Sequence, residues 1–178
     1  MSLYQNRNRV VHTFAPVWDG HSRVLILGSL PSVKSREQGF YYGHPQNRFW
    51  KVLAAVTGEE VPKTIEQKKD FLMRQRIALW DVIASCEISG SSDSSIRGVA
   101  PADVAGLLQM SAIRKVFVNG AKAGQLYDRY ILPDSGIPAV RLPSTSPANA
   151  AWSFERLLTQ WQKVREEDGI IEEEGKRM

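Results

Sequence analysis

Four short apolar runs punctuate the chain: 23–27, 77–84, 115–118 and 138–142. Each is continuous rather than alternating, the pattern of parallel strands covered on both faces. The first stops at Gly28 and the third at Asn119-Gly120, residues suited to a strand-to-loop turn. Between the runs, apolar positions return at helical spacing. Phe49, Trp50, Val52, Leu53 and Val56 make one stripe; Phe154, Leu157, Leu158, Trp161 and Val164 make another. A charged amphipathic stretch over 64–76, a segment over 101–110 with Pro101 at an expected first turn, and a segment over 121–131 supply three more helices. Repeated strand–helix units predict an α/β fold, a three-layer α/β/α sandwich around a parallel sheet. Residues 89–95, rich in serine, read as a loop. Residues 166–178 read as a charged, flexible tail beyond a single domain over 1–165.

Bulk composition narrows the class. The 178 residues suffice for a buried core, and 43% hydrophobic with 24% charged residues is ordinary for a globular chain. No apolar stretch is long enough to span a bilayer, and residues 1–10 lack an apolar signal core, which argues for an intracellular protein with no membrane partner. A single cysteine, Cys86, excludes an internal disulfide and fits a reducing, cytoplasmic setting. The three histidines show no metal-ligand spacing, so no metal is expected. The net charge of +4 understates the body, because residues 166–178 hold six acidic and two basic side chains. The remainder carries 21 basic against 13 acidic residues. Such a body suits a polyanionic partner, although solubility alone also accounts for it.

Two segments carry the candidate chemistry. One is Gly28-Ser29-Leu30-Pro31-Ser32, continuing to His44-Pro45-Gln46-Asn47-Arg48-Phe49-Trp50; the other is Leu142-Pro143-Ser144-Thr145-Ser146-Pro147-Ala148-Asn149. Both follow strand runs and end where a helix is expected. Both therefore lie at the carboxyl side of the sheet, where open α/β folds bind ligands. In these motifs, with Tyr41-Tyr42 and Leu79-Trp80-Asp81-Val82, the chain resembles the uracil-DNA glycosylase superfamily, most closely its hypoxanthine-DNA glycosylase branch, which is related to the mismatch-specific uracil enzymes. The likeness runs from about residue 20 to 162 in consistent order. It implies a four-stranded parallel sheet, excision of a damaged base from DNA, and no cofactor. Elsewhere in the superfamily the position of Leu30 often carries an Asp or Asn that handles the attacking water. The resemblance moves that role to Asn47.

Base excision must flip the nucleotide, hold the base, stabilise the leaving group and position water. Asn47 is the candidate for water, but it also stands where a helix cap belongs. Phe49 is the candidate stacking platform, Tyr42 a pocket wall, and Asn119 the amide that reads the base edge. Backbone N–H groups of Gly28 and Ser29 suit charge on the departing base, and His44 is a candidate cation beside it. Ser144 and Ser146, before a helix expected to open at Pro147, suit a DNA phosphate, with Asn149 near the gap left by the flipped nucleotide. Ser32 and Lys34 are further phosphate contacts, then Arg97. No lysine stands out as a Schiff-base nucleophile, so the expectation is a monofunctional glycosylase, acting as a monomer on DNA with deaminated bases. The rival reading is a DNA lesion-binding protein without catalysis.

Overall fold

The most apolar run of the chain becomes the interior of a parallel sheet. The computed structural model describes residues 8–89 and 93–166. In chain order the elements are β1 (Asn8–Val11), β2 (Val24–Gly28), α1 (Val33–Gln38), α2 (Phe49–Thr57), α3 (Ile65–Arg74), β3 (Ile77–Asp81) and β4 (Ile83–Ile88). A 3₁₀ turn (Asp93–Ser95), β5 (Arg97–Pro101), α4 (Val104–Met110), β6 (Lys115–Asn119) and α5 (Ala121–Tyr130) follow. The last elements are α6 (Leu132–Ser135), β7 (Ala139–Leu142), α7 (Phe154–Trp161) and α8 (Lys163–Glu166). Residues 90–92 of the expected loop, and the expected tail from residue 167 onward, lie outside the described residues.

Strands pair in the order β3-β2-β6-β7, all parallel, giving the expected four-stranded sheet. Successive residues of β2 point to opposite faces. Val24 and Ile26 pack with Phe49, Leu53, Phe71, Leu157 and Trp161 under α2, α3 and α7. Leu25 and Leu27 pack with Val104, Leu107, Leu126 and Tyr127 under α4 and α5. Both faces are dry, which is why the strand reads as an unbroken apolar run. Among the described residues no helix is long and apolar enough to cross a membrane.

Three expectations of detail are corrected. The run 77–84 is two strands, not one. It breaks at Val82, whose N–H bonds Gly28 O, and β4 leaves for an antiparallel sheet ordered β1-β4-β5. A continuous apolar run carries no mark of where its pairing partner changes. Pro101 ends β5 instead of opening α4, whose cap is Asp103 bonded to Gly106 N–H. Pro147 lies in a turn, and α7 begins only at Phe154 behind the Ser153 cap. The second motif therefore presents a loop, not a helix N-terminus.

The loop is nonetheless braced by α7. Trp161 is fully buried, and its Nε1–H donates to Pro143 O at 3.0 Å. Trp161→Ala is expected to lower stability by about 3–5 kcal/mol through cavity formation, read as a shift of the urea unfolding midpoint.

Candidate active site

Gly28 ends β2, Asn119 ends β6 and Leu142 ends β7. Because the strands are parallel, all three ends and the loops behind them meet at one edge. There Gly28, Asn119 and the loop behind Leu142 line a cleft of about 400 Å³, together with Tyr42, Asn47, Asp81 and Arg36, the loop contributing Ser144–Ser146. That volume is in the range of small-ligand sites. Two segments about a hundred residues apart in the chain thus form one wall.

Thr145 joins them, and it is completely buried. Its N–H donates to Asn119 Oδ1 at 3.1 Å, and its Oγ1 accepts from Asn119 Nδ2 at 3.0 Å. The hydroxyl proton goes to Asn47 Oδ1 at 2.9 Å, while Thr145 O accepts the Arg48 N–H at 3.1 Å. Asn47 Oδ1 also accepts the Phe49 N–H at 2.9 Å. Two backbone donors, on Thr145 and Phe49, dictate which end of each amide carries oxygen. Both side chains are thereby locked in one orientation. Asn47 uses its oxygen on the protein and keeps Nδ2 without a protein partner among the described residues. The cap expected of Asn47 is partly real: it bonds the first turn, though Arg48 is the residue at the cap position of α2. Asn119 bonds Thr145 through both Oδ1 and Nδ2 while lining the cleft, which leaves one N–H and one lone pair of its amide.

Phe49 is fully buried and does not line the cleft. Tyr42 covers it, with ring centroids 3.9 Å apart and planes 16° from parallel. The edges of Trp50 and Trp161 meet Phe49 as well. The stacking role expected of Phe49 is corrected accordingly: the aromatic surface in the cleft belongs to Tyr42. Tyr42 adopts φ 52°, a left-handed conformation that bulky residues avoid. Among the described residues its buried hydroxyl meets no hydrogen-bond partner of good geometry, and Asn119 is the side chain near enough to lower its pKa. Burial first, and the neighbouring Asp81 second, push the Tyr42 phenol far above its ordinary range. It stays a neutral O–H.

Asp81 was not among the residues the motifs singled out for chemistry. It ends β3 opposite Gly28 and is 3% exposed. Its Oδ2 lies 2.7 Å from His12 Nε2. A Cβ on Gly28 would stand 2.5 Å from Asp81 Oδ1 and 3.1 Å from Tyr42 Oη. Only glycine fits, and the carboxylate, the phenol and the backbone converge on the floor of the cleft. The signal was present in sequence: an ionisable residue closing an otherwise apolar strand run.

A family model described as the uracil DNA glycosylase superfamily matches residues 16–165. The chain belongs to that superfamily. A Methanosarcina acetivorans protein named hypoxanthine DNA glycosylase is 38% identical over 153 residues, 85% of this chain and 95% of its own length. A Methanosarcina barkeri protein of the same name is 36% identical over 138 residues, 76% of this chain and 86% of its own. A solution NMR structure from Methanosarcina acetivorans, described as a candidate uracil DNA glycosylase, superposes with a TM-score of 0.72 at 35% identity, covering 85% of this chain and 96% of that one. This protein is a DNA glycosylase, a hydrolase that acts on DNA.

The other expected residues of the glycosylase fall into two groups. Gly28, Ser29, Ser32, Ser144 and Ser146 line the cleft. The hydroxyls among them are partly engaged: Ser32 caps α1 through Ser35 N–H, Ser144 accepts from Ser146 N–H, and Ser146 accepts from Ala148 N–H. Lys34, His44, Asn149 and Arg97 do not line it. Lys34 pairs with Glu37 in solvent. His44 Nδ1 accepts the Gln46 N–H and so organises the turn before α2. Asn149 Nδ2 donates to Ser144 O, and its own carbonyl accepts from Arg48. Both serve the loops and not the cavity. Leu30 lines the cleft and packs against the core. Arg36, a cation on the wall, carried no motif to mark it. Among the described residues no group of three or more His, Cys, Asp or Glu could hold a metal.

Thr145→Val is expected to cost about 1–3 kcal/mol, because it strands a buried amide N–H and carbonyl. Thr145→Ser keeps the hydroxyl and should cost about 1 kcal/mol for the lost methyl. Urea unfolding of the pair checks this order. The tyrosines give a second test. Tyr41 is raised by burial first, then by Asp81 and Tyr42, as Tyr42 is by burial and Asp81. Both pKa values lie above the unfolded value near 10. Their contribution to stability is complete below that pH and is lost as pH rises past it. Ultraviolet titration should therefore leave Tyr41 and Tyr42 un-ionised until alkaline unfolding.

Proposed function

We propose that this glycosylase flips deaminated bases out of DNA and excises them by hydrolysis, hypoxanthine first and uracil second, leaving an abasic site. The observation that carries the reading is Asn47. Its amide is locked by Thr145 and Phe49 in a cleft that also holds an aromatic ring and a buried acceptor. The reading is supported by the relatives named hypoxanthine DNA glycosylase.

The flipped base stacks on Tyr42, whose far face is backed by Phe49. Such stacking is worth about 1–3 kcal/mol and tolerates purines and pyrimidines alike. Asp81 Oδ1 accepts the ring N–H that hypoxanthine and uracil share beside a carbonyl. Backbone N–H groups of Gly28 and Ser29 stabilise charge as the base leaves. Asn47 Nδ2 donates to the water oxygen and holds it against the sugar. An amide is no strong base, but an oxocarbenium-like centre needs a placed nucleophile more than a strong one. Ser32, Ser144 and Ser146 on the rim, with Arg36, contact DNA phosphates. The enzyme works as a monomer, and no lysine lines the cleft to form a Schiff base, so it cuts no strand itself.

The test is an end-labelled duplex with one deoxyinosine, beside a deoxyuridine duplex, each treated with hot alkali after incubation. Breaks at both lesions, stronger at inosine, are expected. Asn47→Ala should lose about 100-fold or more in rate with duplex affinity unchanged, alongside a lower unfolding midpoint, because the Thr145 hydroxyl and the Phe49 N–H lose their acceptor. Tight lesion binding without a break would instead favour a non-catalytic sensor, the reading that Leu30 in the cleft supports.

A further inference from the structure

We propose that His12 is the positioning residue for base recognition: it holds one oxygen of Asp81 so that the other faces the flipped base. This rests on the glycosylase reading above. His12 lies ahead of residues 16–165, the span shared with the family, and no motif pointed to it. It sits in a strap that crosses the sheet edge. β1 pairs with β4, His12 N–H donates to Ala84 O, Tyr41 Oη donates to Ala15 O, and Val17 bridges Leu79. The backbone is thus pinned on both sides of His12. The imidazole is packed by Phe14 at 4.4 Å and Tyr41 at 5.9 Å between centroids, which leaves it little freedom to turn.

The contact itself is short and dry. His12 Nε2 and Asp81 Oδ2 are 2.7 Å apart, with side chains 5% and 4% exposed. A carboxylate only accepts, so the proton belongs to Nε2. Two consequences follow. The bond fixes rotation of the carboxylate, leaving Oδ1 at Gly28 and Tyr42 on the cleft floor. It also draws negative charge away from the place where the departing base gains it. A carboxylate left unpaired there would repel the leaving group in a medium of low dielectric. Arg36 is the one cation among the lining residues, so His12 is the direct partner. The arrangement parallels a ligating side chain oriented by a hydrogen-bonded neighbour.

The test is a double-mutant cycle on the full chain, read by single-turnover excision of deoxyinosine and by duplex affinity. His12→Ala should slow excision about 10- to 100-fold while duplex affinity changes less than about twofold, the scale of a lost orienting partner. His12→Gln, which keeps an N–H donor, should recover part of the rate. In the Asp81→Asn background, His12→Ala should cost less than about threefold, because a neutral amide needs no charge partner. Equal cost in both backgrounds, or a rate loss that follows the urea midpoint, would overturn the proposal. A second readout does not need turnover. The side-chain ¹⁵N resonances of His12 should shift on adding a duplex with uncleavable 2′-fluoro-deoxyinosine, and not with a matched adenine duplex. A selective shift in a protein that excises nothing would keep the His12 role and remove the catalytic reading. No shift with either duplex would remove the His12 role even if excision is robust.

Discussion

The site depends on the hydrogen bonds of one buried threonine. Thr145 receives from Asn119, gives to Asn119 and Asn47, and anchors the start of α2 through Arg48. It has no solvent access, so each of its polar atoms must find protein. The end of β6, the loop after β7 and the loop between α1 and α2 are therefore held in mutual register by one residue. The guanidinium of Arg48 reinforces this by donating to the carbonyls of Trp152 and Asn149. The two motifs are one structural object, and the Asn47 amide inherits its orientation from that object.

The price of the arrangement is visible at the cleft floor. Tyr42 holds a left-handed backbone, a strain on the order of 1–3 kcal/mol. Among the described residues its buried hydroxyl finds no partner of good geometry, and Asp81 is buried beside it. Stacking on Phe49, and the packing of Tyr41 and Trp50 around it, offset that strain.

The fold was legible where its physics is local. Runs such as 23–27 are apolar throughout because both faces of β2 are covered, and the stripe from Phe154 to Val164 matches the buried side of α7 and α8. The break at Val82 was not legible, because an apolar residue suits either sheet. Nor was the loop after Leu142: proline and serine suit a helix start and a turn alike, and the docking of Trp161 on Pro143 decided between them. Within the site, Asn47 and Tyr42 could be singled out from the motifs. Phe49 and Tyr42 could not be ranked as platforms, since the choice turns on which aromatic ring lies above the other.

Residue order alone therefore determined the class of the fold, the edge of the sheet at which a site would form, and the motifs that point to base excision. These follow from periodicity and from short-range turn chemistry. Tertiary structure decided the placements: Tyr42 as the ring that lines the cleft, Asn119 bonded to Thr145, Asp81 on the floor and His12 behind it. The last three depend on contacts between segments tens of residues apart, such as the 69 positions separating His12 from Asp81. Side chains that far apart acquire a chemistry only when packing removes water from between them.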